Sequence, residues 1–348
     1  MSLQATIAKL MLKLPAGLKV KMAGGKPVEI AGRTLDPNFQ FIAHGAARQP
    51  PMSSMTPDQA REASATGLAM FADKTEPGVS WDDFEISGRD GTKIPVRLYK
   101  PAGQDPSAPM MTYFHFGGGV IGDLETCHVF CTMLASRVKC PVLSVEYRLA
   151  PEHKYPAALH DCEDAYDWVL QNAEAHGAPA GRATVGGDSM GGHLSAVLSQ
   201  HLRDAGKAVP DLQLLIYPAT DLVNEFESTT LYGETYPLSA DTMNWFMEHF
   251  LAEGTDTADP LISPGLHPKL SDLPPAIIIT AGFDPLVDHG AAYAKQLEGA
   301  GVSAKYKCYD SLAHGFTAFT AVVPDARKAC VEVADMVREA YASFSVST

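Results

Sequence analysis

The sequence has no run of apolar residues long enough to cross a bilayer. A spanning helix needs about eighteen to twenty in a row, and charged side chains interrupt every candidate stretch. Cysteine is sparse: six in 348 residues (Cys127, Cys131, Cys140, Cys162, Cys308 and Cys330), with no Cys-x-x-Cys pair. That excludes a disulfide framework and predicts buried free thiols serving as small apolar packing groups. There is no His-Glu-x-x-His and no clustered His/Cys spacing, so no metal site is expected. Basic residues are also short, 27 Lys and Arg against 41 Asp and Glu, for a net charge of −14. A surface of that sign repels phosphate backbones, which argues against a nucleic-acid partner.

The apolar fraction of 46% is that of a globular protein with ample core. The first twenty residues are hydrophobic, but Lys9 and Lys13 fall where a signal peptide would be uncharged. Leu3, Ile7, Leu10, Met11 and Leu14 recur at helical spacing instead, which predicts an amphipathic helix lying on the protein and a cytoplasmic location.

Residues 1–80 read as helical stretches without clear strands, packing onto a domain rather than forming one. Thr56-Pro57-Asp58-Gln59 in this segment carries a capping threonine, proline at the first helical position and glutamine at the third. Strands are expected at Trp81–Ser87 and Ile94–Tyr99, joined by a turn at Gly88-Arg89-Asp90-Gly91, and at Pro109–Phe114. Strands at Cys140–Glu146, Ala183–Gly186 and Leu212–Tyr217 then alternate with helices near Cys127–Arg137, Ala157–Ala173 and Gly191–Ala205. Such alternation predicts an α/β fold with a mostly parallel sheet covered by helices. It breaks over 221–269, a strandless insertion read as a lid or cap rather than a bare loop. It resumes with strands at Ala276–Ala281 and Lys305–Tyr309, and with helices at His289–Ala300 and about Asp325–Ser343. The catalytic core is thus assigned to 81–220 and 270–348.

The stretch Thr184-Val185-Gly186-Gly187-Asp188-Ser189-Met190-Gly191-Gly192 reads as strand, tight turn, helix, with Ser189 inside Gly187-x-Ser189-x-Gly191. Small residues two before and two after the serine are what a nucleophile elbow requires. A serine nucleophile needs a base to take its proton and an acid to orient that base. Asp284 follows the strand ending at Ala281, and His314 follows the strand ending at Tyr309. The order Ser189, Asp284, His314 is that of a triad on loops at the carboxyl ends of a parallel sheet. Asp288 is read as the N-cap of the next helix and Asp310 as too close to its strand end. His193 and His201 should face away from the site. Oxyanion donors are expected from the backbone N–H of Met190 and from the loop His115-Phe116-Gly117-Gly118-Gly119-Val120-Ile121-Gly122-Asp123.

The combination resembles the hormone-sensitive-lipase family of carboxylesterases, bacterial family IV of the α/β-hydrolase superfamily. The residues carrying it are Gly187-Asp188-Ser189-x-Gly191-Gly192, the His-Gly-Gly-Gly-like loop, Tyr147-Arg148-Leu149-Ala150-Pro151-Glu152, Asp284-Pro285-Leu286 and His314-Gly315-Phe316. The resemblance implies a roughly eight-stranded sheet, a helical cap assembled from the N-terminal helices of 1–80 and the insertion 221–269, and hydrolysis of a small-molecule ester with a short- to medium-chain acyl group, without a cofactor. Dimers are common in the family, so a homodimer is an open alternative to a monomer.

Two residues depart from the family pattern. Phe116 stands where a glycine is usual, and Met190 where alanine is usual. Anchoring the loop on His115 and Gly122-Asp123 makes Gly117 and Gly118 the donors; anchoring it on the glycines makes them Gly118 and Gly119. Phe116, Asp188, Trp245, Phe246 and Phe250 are the expected pocket residues. A deacetylase, lactonase or amidase would use the same machinery. A binding module like the plant gibberellin receptors, which resemble the family but lack the catalytic histidine, is disfavoured by His314.

Overall fold

A computed structural model describes residues 10–344, so the predicted contributions of Leu3 and Ile7 to an N-terminal helix lie outside the described residues. The chain begins with α1 (Ala16–Met22), a small hairpin of β1 (Glu29–Ile30) and β2 (Arg33–Thr34), then α2 (Pro37–Ala46) and α3 (Pro57–Phe71). Next come β3 (Val79–Ser87), β4 (Lys93–Pro101), β5 (Met110–Phe114), α4 (His128–Val138), β6 (Val142–Val145) and α5 (Ala157–Asn172). The centre of the chain holds β7 (Ala183–Asp188), α6 (Met190–Asp204), β8 (Gln213–Ile216), α7 (Glu227–Leu231) and α8 (Ala240–Phe250). It closes with β9 (Ala276–Phe283), α9 (Val287–Gly299), β10 (Ala304–Ala313) and α10 (Pro324–Phe344).

Eight strands form one sheet in the order β10-β9-β8-β7-β5-β6-β4-β3. Only the β3–β4 and β4–β6 pairings are antiparallel. Every residue of β5, β7, β8 and β9 is buried. Helices cover both faces, so these strands read as nearly continuous apolar runs rather than alternating ones. All six cysteines are free and five are buried, in line with their predicted packing role.

The capping box of α3 forms as its sequence predicts: Gln59 N–H donates to Thr56 Oγ1 at 3.3 Å, and Thr56 N–H donates to Gln59 Oε1 at 3.0 Å. Two expectations need correction. Residues 1–80 do contain strand, since Ala31 (φ 50°) and Gly32 (φ 77°) turn β1 directly into β2. The same segment packs against the sheet. Leu12, Leu35, Phe39 and Ile42 are buried in one cluster with Ile277 and Ile279 of the sheet, and Phe39 meets Phe319 edge-on with centroids 5.2 Å apart. Finally, β10 does not end at Tyr309. It breaks register there and continues to Ala313 beside Phe283. Gly282 allows this, because a Cβ at that position would stand 2.2 Å from the Asp310 carbonyl oxygen.

Candidate active site

The elbow is built by close backbone approach. A Cβ on Gly187 would lie 2.3 Å from the Gly191 carbonyl carbon, and one on Gly191 would lie 1.9 Å from Phe114 O. With both glycines in place, β7 turns into α6 within one residue. Ser189 takes up φ 54° and ψ −116°, a strained conformation for a residue with a side chain. Its N–H donates to Ile216 O at 2.8 Å, and its own carbonyl accepts from His193 N–H at 2.9 Å. The surroundings over-determine the strain, and the hydroxyl is held at the N-terminus of α6.

Ser189, Asp284 and His314 come together from three strand ends. His314 Nδ1 lies 2.7 Å from Asp284 Oδ2, and Nε2 lies 2.9 Å from Ser189 Oγ. A carboxylate oxygen only accepts, so Nδ1–H donates to Asp284 and the bare Nε2 accepts the serine O–H. The other Asp284 oxygen accepts from Leu286 N–H at 2.8 Å, which fixes the acid. Asp284 and His314 are both buried. This is the arrangement of base and orienting acid that activates a serine hydroxyl.

Asp288 is not the N-cap of α9. Leu286 occupies the cap, and Asp288 lies in the first turn, where it accepts from Ser228 N–H at 2.9 Å. His193 Nδ1–H donates to Ala219 O at 2.8 Å, and His201 stands 3.5 Å from Glu163; both are committed elsewhere, as expected. Asp188 is not on the pocket wall. It is fully buried beneath the elbow, hydrogen-bonded to Tyr217, Thr317 and Cys127. A strand residue directly before the turn points down into the core when the serine after it points up.

The loop after β5 turns through Gly117, Gly118 and Gly119, all at positive φ (128°, 61° and 72°). Among the described residues, the backbone N–H groups of these glycines and of Met190 donate to no protein acceptor. Side chains of α8 lie on this loop: a Cβ on Gly118 would strike the Phe246 ring at 2.2 Å, and one on Gly119 the Phe250 ring at 2.4 Å. Trp245 donates its indole N–H to Met55 O at 3.2 Å, so the segment before α3 and the helix α8 share one layer over the loop. Met190 is buried in the cluster that holds Trp245, Phe246 and Phe250, whereas Phe116 packs against the other large cluster, with Phe39 and Phe316.

Two arginines that the sequence reading passed over hold the site from the N-terminal side. Arg61 on α3 donates to Val120 O and to Ala150 O, each at 2.9 Å, and grips the Glu152 carboxylate with both terminal nitrogens. Ala150 N–H in turn donates to Gly119 O at 2.8 Å. Arg33 on β2 joins Asp310, Tyr232 Oη and Gly282 O, close to both the acid and the histidine loops.

A family model described as alpha/beta hydrolase fold matches residues 111–318, which contain every triad residue. The chain belongs to that family, in its hormone-sensitive-lipase-like branch. It is 38% identical over 313 residues to the carboxylic ester hydrolase LipN of Mycobacterium tuberculosis, spanning 87% of this chain and 82% of that one. It is 36% identical to an ethyl acetate hydrolase of Pseudomonas putida, over 86% of this chain and 96% of that one. Among solved structures, an ester hydrolase from the metagenome of Lake Arreo, in complex with a bipyridine phosphonate derivative, superposes with a TM-score of 0.84 at 37% identity. That match covers 88% of this hydrolase and 99% of the other chain.

Proposed function

We propose that this hydrolase is a serine carboxylesterase that cleaves small acyl esters through an acyl-enzyme. The observation that carries the proposal is the continuous pair of hydrogen bonds from Asp284 through His314 to Ser189 Oγ. Ser189 attacks the ester carbonyl while His314 Nε2 takes its proton. The oxygen that becomes negative is received by backbone N–H groups of Gly117, Gly118 and Met190, whose uncommitted state supports the assignment. Gly118 belongs to both alignments of the glycine loop. His314 then returns the proton to the leaving alcohol and activates the water that releases the acid. Esterase names among the relatives favour an ester over an amide or lactone. The intact triad contact counts against a receptor-like module.

Residues of the N-terminal segment and of 221–269 form the cap in this reading, and they set substrate size. Phe246 and Phe250 lie on the glycine loop, and Met190 adds a bulky side chain to the same apolar wall. A methylene that fits such a wall gains about 1–3 kcal/mol, and one that overfills it costs a similar amount. The preferred acyl group therefore has roughly two to six carbons. A series of esters from acetate to dodecanoate tests this by kcat/KM. Met190→Ala should move the optimum toward longer chains, whereas Phe116→Gly should move it little, since Phe116 packs into the other cluster. An optimum at about eight carbons or more, unmoved by Met190→Ala, refutes the size argument. Cytoplasmic residence is part of the proposal and is supported by the free thiols. A homodimer, which the family resemblance admits, is read by mass in solution.

A further inference from the structure

Beneath the elbow lies a group of buried oxygens that the hydrolytic mechanism leaves unused. Tyr217 Oη is 2.9 Å from Asp188 Oδ2, Thr317 Oγ1 is 2.8 Å from the same oxygen, and Tyr217 Oη is 2.7 Å from Thr317 Oγ1. The three oxygens therefore form a closed triangle with every edge at hydrogen-bond length. Each edge needs one proton. The two hydroxyls supply two. With Asp188 ionised, one edge would hold two lone pairs facing each other, in a site without water-exposed surface.

We propose that Asp188 is an un-ionised carboxylic acid whose proton closes this ring, and that through Tyr217 it acts as a positioning residue for His314. In the closed ring each oxygen donates once and accepts once. The second carboxyl oxygen, Oδ1, accepts from the Cys127 thiol at 3.3 Å. Among the described residues, no cation is hydrogen-bonded to or ion-paired with Asp188. An isolated buried carboxylate is costly, and such groups take up a proton instead. Burial pushes the carboxyl upward from its ordinary range, against the pull of its hydrogen bonds. The ionisable groups facing it are Tyr113 of β5, Cys127 and Cys131 beside α4, Tyr147, Tyr217 and Cys330 of α10. Burial raises every one of them, so each stays neutral at working pH.

The ring ties together the three chain segments that carry the reaction. Asp188 ends β7 directly before the nucleophile. Tyr217 follows β8 in a left-handed conformation, φ 37°, that a tyrosine adopts only when held. Thr317 lies three residues after His314. The Tyr217 ring packs against the His314 imidazole with centroids 4.6 Å apart, so fixing its hydroxyl fixes one wall of the histidine. Neutrality matters in its own right. A carboxylate under Ser189 would oppose the negative charge that develops on the substrate oxygen, and in a buried site that repulsion is weakly screened.

Infrared spectroscopy tests the protonation state. At about pH 8 every solvent-exposed carboxyl is ionised. The wild-type spectrum minus that of Asp188→Asn should then contain one carbonyl band of an un-ionised acid, shifted in D2O. A wild type without that band overturns the proposal. Thr317→Val gives the same answer if Asp188→Asn does not fold: the band should persist at a displaced frequency, and an unmoved band overturns the ring. Kinetics supply the second readout, and this arm alone rests on the esterase reading. Replacing an uncharged Asp188 by Asn removes no charge, so the acid limb of kcat/KM should keep its position. A limb displaced toward lower pH would mean that a carboxylate had been stabilising the imidazolium, and it too overturns the proposal. The infrared band needs no turnover, so it stands or falls separately from ester hydrolysis.

Discussion

Acidification should loosen this fold through His115. His115 opens the glycine loop, fully buried, with its ring stacked on Tyr147 at 4.3 Å between centroids and 12° between planes. Nδ1 donates to Phe116 O at 2.7 Å, while Nε2 has no hydrogen-bond partner among the described residues. Protonation would place an N–H in the core with nothing to accept it. Burial accordingly pushes the imidazole down to about 4 from 6.5, despite the opposing pull of Phe116 O and Asp123. The folded pKa lies below the unfolded one, so the unfolded chain binds the extra proton first. The stabilisation is complete above about pH 6.5 and drains away as pH falls toward about 4. Integrated down to about pH 4.5, the loss from this one group is roughly 2 kcal/mol relative to neutral pH. His289, also pushed down to about 4 by burial, contributes a comparable loss that serves as internal background. Urea unfolding of wild type and His115→Asn between about pH 7.5 and 4.5 measures the difference. Asn keeps a donor for Phe116 O but cannot titrate. The variant should be less stable at neutral pH, where it loses the stacking, and its stability should fall less steeply with acid. Parallel slopes for the two proteins would refute the reasoning.

Three further outcomes follow from the site's geometry. Gly118→Ala must displace the Phe246 ring and accept a positive φ, so kcat/KM should fall by about a hundredfold; Phe246→Ala in the same chain should recover part of it, a coupling that additive effects would not show. Arg61→Ala should lower kcat/KM about tenfold or more by releasing Val120 O and Ala150 O, and Arg61→Lys should restore little, because one ammonium cannot span two carbonyls and a carboxylate. Asp284→Asn should be severe and Asp288→Asn mild, since Asp284 alone meets His314; steady-state kinetics that reversed the order would assign the acid wrongly.

The triad was legible because its signals are local and ordered. Gly187 and Gly191 announce an elbow, and Asp284 and His314 each follow an apolar strand. Asp188 was misplaced because a motif says which residues adjoin the serine, not that the one before it faces the core. Arg61 and Arg33 carried no local signal. Arg61 reaches Val120 across 59 residues, and Arg33 reaches Gly282 across 249, so only the folded chain brings them together. The extension of β10 to Ala313 was hidden because Asp310 and Ser311 are polar, and the strand exists through the room left at Gly282. How deeply the N-terminal segment packs was hidden for a related reason. Phe39 and Ile42 sit on a helix outside the strand–helix alternation, and nothing in their spacing shows that the sheet's own cluster needs them.

The most direct test of Ser189 as the nucleophile is the turnover of a short acyl ester by Ser189→Ala. The substitution removes one oxygen and leaves Asp284, His314 and the glycine loop in place. Ester hydrolysis should fall by about three orders of magnitude or more, with an unchanged thermal midpoint and circular dichroism spectrum. A folded Ser189→Ala protein that retains more than about a tenth of wild-type kcat/KM would contradict the account.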